Sequence, residues 1–216
     1  MKKALLFVCL FALCNLVVLG QAVRSYRMSH TAERSAFHVP PQEAPAGLRK
    51  IYSNLGKSKT DLYNDTNSYV VSGPNSGLNF TQFIAMSFTP KSNSHVSQVR
   101  VAVQYVAGAN QVNLSIYGDT NDAPGTLLAG PVTVMNLPAY GTCCTLAVAE
   151  FSPLAVTGGT QYWVVADTPL TGTGSDFGGG WDLTVAYVPQ AANLGSGWFG
   201  FNGLNQAAGE VLGTVP

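Results

Sequence analysis

The sequence is built from short runs of alternating apolar and polar residues, separated by glycine- and proline-rich breaks. Every second residue is apolar across Val99–Tyr105 and again across Val112–Ile116, which is the side-chain period of a β-strand. Further strand-like runs cover residues 83–89, 127–137, 144–151, 162–167, 181–188, 197–201 and 210–215. No amphipathic helical stretch separates them. The pattern predicts an all-β fold, namely a single antiparallel β-sandwich of jelly-roll type over residues 48–216.

The first 22 residues follow a different pattern. Lys2 and Lys3 precede an apolar run from Ala4 to Leu19, and small residues stand at Gly20 and Ala22. This pattern is typical of a secretory signal peptide. The run is shorter than the roughly 20 apolar residues of a membrane-spanning helix. We expect cleavage after Ala22, a secreted protein (extracellular or periplasmic) and no membrane span in the mature chain.

Residues 23–47 contain three arginines, two histidines and three prolines, and they show no apolar periodicity. Such a composition is typical of a linker. We therefore predict three parts, which are a signal peptide over 1–22, a flexible leader over 23–47 and the sandwich domain over 48–216.

Charge is scarce and unevenly placed. Only 10% of the residues are charged, against about 25% in average soluble proteins. Between Val101 and Pro216 there are seven acidic residues and no Lys, Arg or His. This distribution argues against nucleic-acid binding, which requires a cationic surface. It also deprives more than half of the chain of the side chains used as Schiff-base lysines, phosphate clamps or general-base histidines.

Cys143 and Cys144 are the two cysteines that remain after signal cleavage, and they are adjacent. Their Cα atoms are expected about 3.8 Å apart, below the usual disulfide range of about 4.4–6.8 Å. A strained vicinal disulfide is the favoured interpretation, and two reduced buried thiols are the second. Interchain bridging or metal binding is the third, although no CxxC spacing or nearby histidine supports a metal site.

Acidic residues suggest two further sites. Asp119 and Asp122 lie in the turn 118–125 and offer the oxygen ligands that Ca²⁺ prefers, although Asp is also an ordinary turn residue. The stretch Gly172–Asp176 resembles a single calcium-binding nonapeptide, but a flexible loop is the favoured interpretation because that architecture requires stacked repeats. Glu150 and Glu210 form the only glutamate pair of the domain and are the candidates for a glycoside hydrolase.

Trp163, Trp181 and Trp198 are the candidate ligand-binding residues. Aromatic rings on the surface of a secreted sandwich can stack on sugars, and this would make cell-surface or extracellular glycans the partner. Large aromatic residues are also needed to fill a sandwich core, and that second interpretation is the favoured one for the set as a whole.

Several short sequence segments together resemble the bacterial choice-of-anchor domain proteins, and most closely the choice-of-anchor R type. They are Ile84–Pro90, Tyr117–Thr120, Ala123–Leu128, Tyr140–Thr145, Gly158–Trp163 and Gly209–Gly213. The resemblance spans about residues 48–214 and implies an exported β-sandwich module without known catalytic residues. Such modules end in varied surface anchors. Since the chain reaches Pro216 without a hydrophobic tail or sortase motif, we expect a freely secreted form.

Two functions follow as hypotheses. The leading one is an exported, noncatalytic module with a structural, adhesive or glycan-binding role. The alternative is an extracellular glycoside hydrolase that uses its carboxylates. No cofactor is expected apart from the calcium considered at Asp119 and Asp122.

Overall fold

A computed structural model of the chain describes residues 22–27, 43–56, 63–142, 145–169, 176–184, 187–202 and 205–216. The predicted signal peptide, apart from Ala22, lies outside the described residues, as do Cys143 and Cys144. Within the described ranges the regular structure consists of β-strands. None of these residues belongs to a helix with the length and hydropathy needed to cross a bilayer.

Fourteen strands are found in the described ranges. They are β1 Ser25–Arg27, β2 Arg49–Ser53, β3 Asn64–Ser72, β4 Phe83–Phe88, β5 Ser94–Val101, β6 Val103–Ala107, β7 Gln111–Asp119, β8 Pro124–Met135, β9 Ala147–Val156, β10 Tyr162–Asp167, β11 Gly178–Leu183, β12 Gln190–Asn193, β13 Trp198–Phe201 and β14 Gly209–Thr214.

The strands form three antiparallel sheets. One has six strands in the order β13-β12-β4-β10-β7-β8, and two have four strands each, in the orders β1-β3-β11-β6 and β2-β14-β5-β9. Asp182 donates its backbone N–H to Ala102 O at 2.9 Å, and Ala208 donates to Asp182 O at 2.8 Å, so backbone bonds link the two smaller sheets. The predicted single-domain antiparallel β-sandwich is confirmed.

The core lies between the sheets and is made largely of alternate residues of the central strands. On β7 these are Val112, Leu114 and Ile116, and on β10 Val164 and Ala166, all fully buried. The alternation seen in the sequence thus corresponds to an inward and an outward face, as the pleat of a strand requires.

The run Val99–Tyr105 is not one strand, as its alternation suggested, but two. The ladder is interrupted at Ala102, which lies between β5 and β6. Its N–H donates to Ala208 O at 3.1 Å. The chain therefore leaves one four-stranded sheet and enters the other at this residue while the inward and outward alternation continues.

The first residues of the predicted flexible leader form a β-strand. Residues Ser25–Arg27 form β1, which pairs antiparallel with β3. The side chain of Gln82 binds the adjacent backbone, since its Oε1 accepts from Arg24 N at 2.8 Å and its Nε2 donates to Arg24 O at 2.8 Å. The start of the segment predicted as a flexible leader is thus part of a sheet, and residues 28–42 lie outside the described ranges.

Buried glutamines connect segments that are distant in sequence. Gln206 Nε2 donates to Ser87 O at 2.8 Å, Gln190 Oε1 accepts from Ala207 N at 3.1 Å, and Gln104 Oε1 accepts from Gly141 N at 2.6 Å. All three side chains are almost fully buried. Because an amide is both donor and acceptor, these residues satisfy buried backbone groups in a chain that has few charges.

Candidate functional site

The three tryptophans predicted to bind a ligand lie in three different environments. Trp181 faces the main core, is fully buried, and donates its Nε1 proton to Ala208 O at 2.8 Å. Trp163 is also fully buried, but on the outer face of the six-stranded sheet. Only Trp198 on β13 is partly exposed. Trp163 and Trp181 therefore cannot stack on a sugar from solvent in this structure, and the prediction of a three-tryptophan binding surface is corrected to Trp198 alone.

Trp163 is the centre of a small second core outside the main one. It packs with Ala85, Val165 and Ala191, all fully buried, and the partly buried Tyr117, Ala123 and Trp198 lie against this group. Small residues on β4 and β12 leave room for the indole beside them. The outer face of a sheet, which in a simple sandwich would face solvent, is closed here by aromatic rings and a loop.

The loop that covers this cluster is the hairpin between β7 and β8, residues 118–125. Asp119 Oδ1 accepts from Trp163 Nε1 at 2.7 Å and from Gln161 Nε2 at 2.8 Å. On the other side of the loop, a Cβ built on Gly200 of β13 would lie 2.5 Å from Asp122 O. The hairpin tip thus touches the far strand of the sheet and forms a roof over Trp163.

The structure brings Asp119 and Asp122 to the same glutamine, since Gln161 Nε2 is also 3.5 Å from Asp122 Oδ1. The carboxylate of Asp119 is engaged by two donors that hold the roof in place. In the described part of the chain there is no group of three or more His, Cys, Asp or Glu side chains that could hold a metal ion. Calcium binding at Asp119 and Asp122 stays a prediction, and the contacts give the pair a structural role.

Next to the roofed cluster, one row of side chains crosses the whole six-stranded sheet and is open to solvent. Strand register pairs Thr133 with Asn113 and Asn113 with Asp167, and it pairs Phe83 with Asn193 and Asn193 with Trp198. The paired register of β10 and β4 ends at Ala166 and Ile84, and its continuation by one position brings Asp167 beside Phe83. Directly opposite residues in antiparallel strands project from the same face. The row is Thr133, Asn113, Asp167, Phe83, Asn193 and Trp198, of which Thr133 is exposed and the other five are half-buried.

The open row contains a partly desolvated carboxyl group. Burial raises the pKa of Asp167 to about 6, and a side-chain hydrogen bond with Asn113 acts against that shift. Asn113 Oδ1 in turn accepts from Thr133 Oγ1 at 2.8 Å. Burial also raises the pKa of Tyr117, with the charge of Asp167 as the second cause. The row therefore combines a titratable acid, amides, a hydroxyl and aromatic rings along one face, without a cation.

Glu150 and Glu210 share the outer face of the sheet β2-β14-β5-β9, but they do not form an accessible acid pair. Glu210 Oε1 is 3.4 Å from Arg100 Nη1, and its Oε2 is 2.9 Å from Lys50 Nζ. The Glu210 side chain is only 2% exposed. Glu150 is exposed and accepts from Gln98 Nε2 at 3.4 Å. A polysaccharide cannot reach the carboxylate of Glu210 here, so this pair does not provide the two catalytic carboxylates of the hydrolase hypothesis.

Most of the open row was missed from the sequence. Alternation alone places Asn113 on the face of Tyr117, and Asp167 on the face of Trp163. Alternation predicts which face of a strand a residue occupies, but it does not predict which strands are neighbours in a sheet. Phe83 and Trp198 become members of one row only because β4 and β13 both pair with β12.

No protein-family model matches the chain, and no curated protein or solved structure matches it either. The resemblance to choice-of-anchor proteins therefore stays a prediction. The arrangement of side chains on the two outer faces is the basis for assigning a function.

Proposed function

We propose that the protein is an exported, noncatalytic β-sandwich module that binds carbohydrate along the open row of the six-stranded sheet. Its role is adhesive or structural, outside the cell. The single observation that carries the proposal is the row itself, in which Asn113, Asp167, Phe83, Asn193 and Trp198 lie side by side and half-exposed.

The chemistry of the row suits a neutral polyhydroxylated ligand. Trp198 and Phe83 offer apolar surface for the C–H face of a sugar ring, and aromatic side chains contribute large contact areas. Asn113 and Asp167 offer donors and acceptors for hydroxyl groups. Since the six strands of this sheet contain no Lys, Arg or His, the face provides nothing to attract an anionic polymer.

The ends of the row differ, and this gives a direction to the proposed contact. Trp198 lies on the edge strand β13, and Asn113 and Asp167 lie toward the opposite edge. A chain of sugar units that crosses the strands would stack at Trp198 and be fixed by hydrogen bonds at Asp167. The predicted export and the choice-of-anchor resemblance agree with a glycan ligand at a cell surface.

The test is a glycan array followed by calorimetric titration of the glycans that bind. Trp198→Ala should lower the affinity at least tenfold, and Asp167→Asn should lower it several-fold because a charged acceptor is lost. Phe199→Ala is the matched control, because Phe199 is the next residue on β13, is 38% exposed, and projects from the opposite face. Its affinity should stay within about twofold of the wild type.

Two outcomes would overturn the proposal. One is the absence of binding to any glycan by the folded wild-type protein. The other is an equal effect of Trp198→Ala and Phe199→Ala, since that would show that the open face is not the contact. Hydrolysis of a polysaccharide panel by the wild type would replace the noncatalytic assignment with a hydrolase.

A further inference from the structure

Asp176 is a buried carboxylate with one of its two oxygens unsatisfied. The residue precedes β11 and is only 2% exposed. Its Oδ2 accepts from Asn75 N at 2.9 Å and from Asn75 Nδ2 at 3.3 Å. Its Oδ1 is fully buried and has no hydrogen-bond partner within the described structure. A buried, half-satisfied carboxylate is costly unless a positive charge or a proton compensates for it.

A second unsatisfied oxygen lies beside it. Thr168 follows β10, is 3% exposed, and its Oγ1 also lacks a hydrogen-bond partner in the described part of the chain. A Cβ built on Gly73 would lie 2.6 Å from Thr168 Oγ1 and 2.7 Å from Asp176 Oδ2. Both side chains thus pack against the same glycine, and a Cβ at position 73 would also lie 2.4 Å from Asp176 Cβ, so any other residue there would displace them.

The surrounding charge does not neutralise Asp176. In the described ranges the ion pairs are those of Glu210 with Lys50 and Arg100. The whole chain from Val101 onward, including both neighbouring strands, contains no cationic side chain. Asp176 and Thr168 together present oxygen lone pairs, which is the ligand chemistry of a hard cation and not of an anion.

We propose that Asp176 and Thr168 bind a hard divalent cation of the calcium type, which holds the end of β10 against the start of β11. The carboxylate of Asp176 and Thr168 Oγ1 are the protein ligands that the geometry assigns. With a single carboxylate, the site belongs to the weak class of extracellular calcium sites, with Kd of about 10⁻⁴–10⁻³ M. It is separate from Asp119 and Asp122 and does not depend on glycan binding.

The test is thermal unfolding of the full chain in EDTA and during titration with CaCl₂, with MgCl₂ and NaCl at matched ionic strength. A tenfold excess of calcium over Kd should raise the Tm by about 3–6 °C. Asp176→Asn should abolish the shift, yet be at least as stable as the wild type in EDTA, because it removes the buried charge and keeps an acceptor for Asn75. Thr168→Val should weaken calcium binding several-fold.

Asp122→Asn is the matched control, since it removes a carboxylate from the other calcium candidate. It should respond to calcium like the wild type. The proposal is overturned if the Tm of the wild type is the same in EDTA and CaCl₂, or if the response persists in Asp176→Asn and disappears in Asp122→Asn. Should Asp176→Asn fail to fold, unchanged calcium affinity in Thr168→Val would overturn it equally.

Discussion

The two outer faces of the sandwich are buried by different means. On the sheet β2-β14-β5-β9, Arg100 and Glu210 are buried as an ion pair, and Arg100 Nη1 donates to the backbone carbonyl oxygen of Glu43 at 3.2 Å. On the six-stranded sheet, Trp163 lies beneath the hairpin of β7 and β8. One face is closed by ions and the other by an indole and a turn.

The difference follows from the distribution of charge along the chain. The ionic face forms where the two halves of the chain meet, because β2 and β5 supply Lys50 and Arg100 while β14 supplies Glu210. Five of the six strands of the other sheet come from the half without cations, and β4 contains none either. That sheet had no ion pairs available, so its outer face relies on aromatic packing, amides and backbone geometry.

The largest effect is expected on the ionic face, where Arg100→Met leaves the buried carboxylate of Glu210 with Lys50 alone. Breaking a buried pair costs about 3–5 kcal/mol, and we expect a loss of this size in urea unfolding. Lys50→Met is the control. Its side chain is 49% exposed, so its ion pair with Glu210 is worth at most about 1 kcal/mol. Equal losses in the two variants would contradict a face held by Arg100.

The second prediction concerns the acid on the open face. The pKa of Asp167 is raised from 3.8 to about 6 on folding, so between these values the folded state binds more protons than the unfolded state. The free energy of unfolding should therefore fall by about 2–3 kcal/mol as the pH rises from 4 to 7. Asp167→Asn should remove this decrease and be the more stable protein at pH 8. Parallel pH profiles of wild type and variant would contradict the prediction.

The third prediction separates the buried tryptophan from the open one. Trp163→Phe keeps an aromatic ring but removes the hydrogen bond to Asp119 and leaves space in the cluster. We expect a loss of about 2 kcal/mol in urea unfolding. Trp198→Phe, on the partly exposed residue of the same face, should cost less than about 1 kcal/mol. A larger loss at Trp198 would mean that Trp163 is not the centre of the cluster.

Local patterns predicted the strands better than they predicted the faces. β10 was predicted with its bounds at Tyr162 and Asp167 because it is a short continuous apolar run between polar and glycine-rich breaks, and the hairpin at 118–125 was marked by Pro and Gly. β12, with the sequence Gln-Ala-Ala-Asn, has no β-branched or aromatic residue. β1 lies among arginines and depends on the amide of Gln82. Both strands form because of tertiary contacts, which local sequence preferences do not predict.

The candidate site was harder to predict than the fold. Tryptophans at strand positions are compatible with either face, and burial of an outer face depends on the loop that covers it. Asp119 could be recognised as a turn residue, but its bond to Trp163 requires two strands to be neighbours. Asp167 could not be recognised from the sequence because its raised pKa arises from burial on an outer face.

The smallest effect is expected at the roof of the tryptophan cluster. Asn121 and Asp122 have φ of 54° and 56°, and Thr120 N donates to Ala123 O at 2.9 Å, which describes a two-residue type I′ turn. The second central position of this turn, occupied by Asp122, is most often a glycine in proteins. Asp122→Gly should therefore raise the free energy of unfolding by about 0.5–1 kcal/mol, whereas Ala123→Gly should lower it by a similar amount.

The same pair of variants decides what holds the roof in place. If the backbone geometry of the turn holds it, the gain in Asp122→Gly is the same in EDTA and in CaCl₂. If calcium also bridges Asp119 and Asp122, the wild type gains more stability from CaCl₂ than Asp122→Gly does, so the sign of the difference reverses at high calcium. A reversal would mean that both outer faces are held by ionic contacts. The faces would then differ only in the source of positive charge, which is Arg100 and Lys50 on one face and a bound calcium ion on the other.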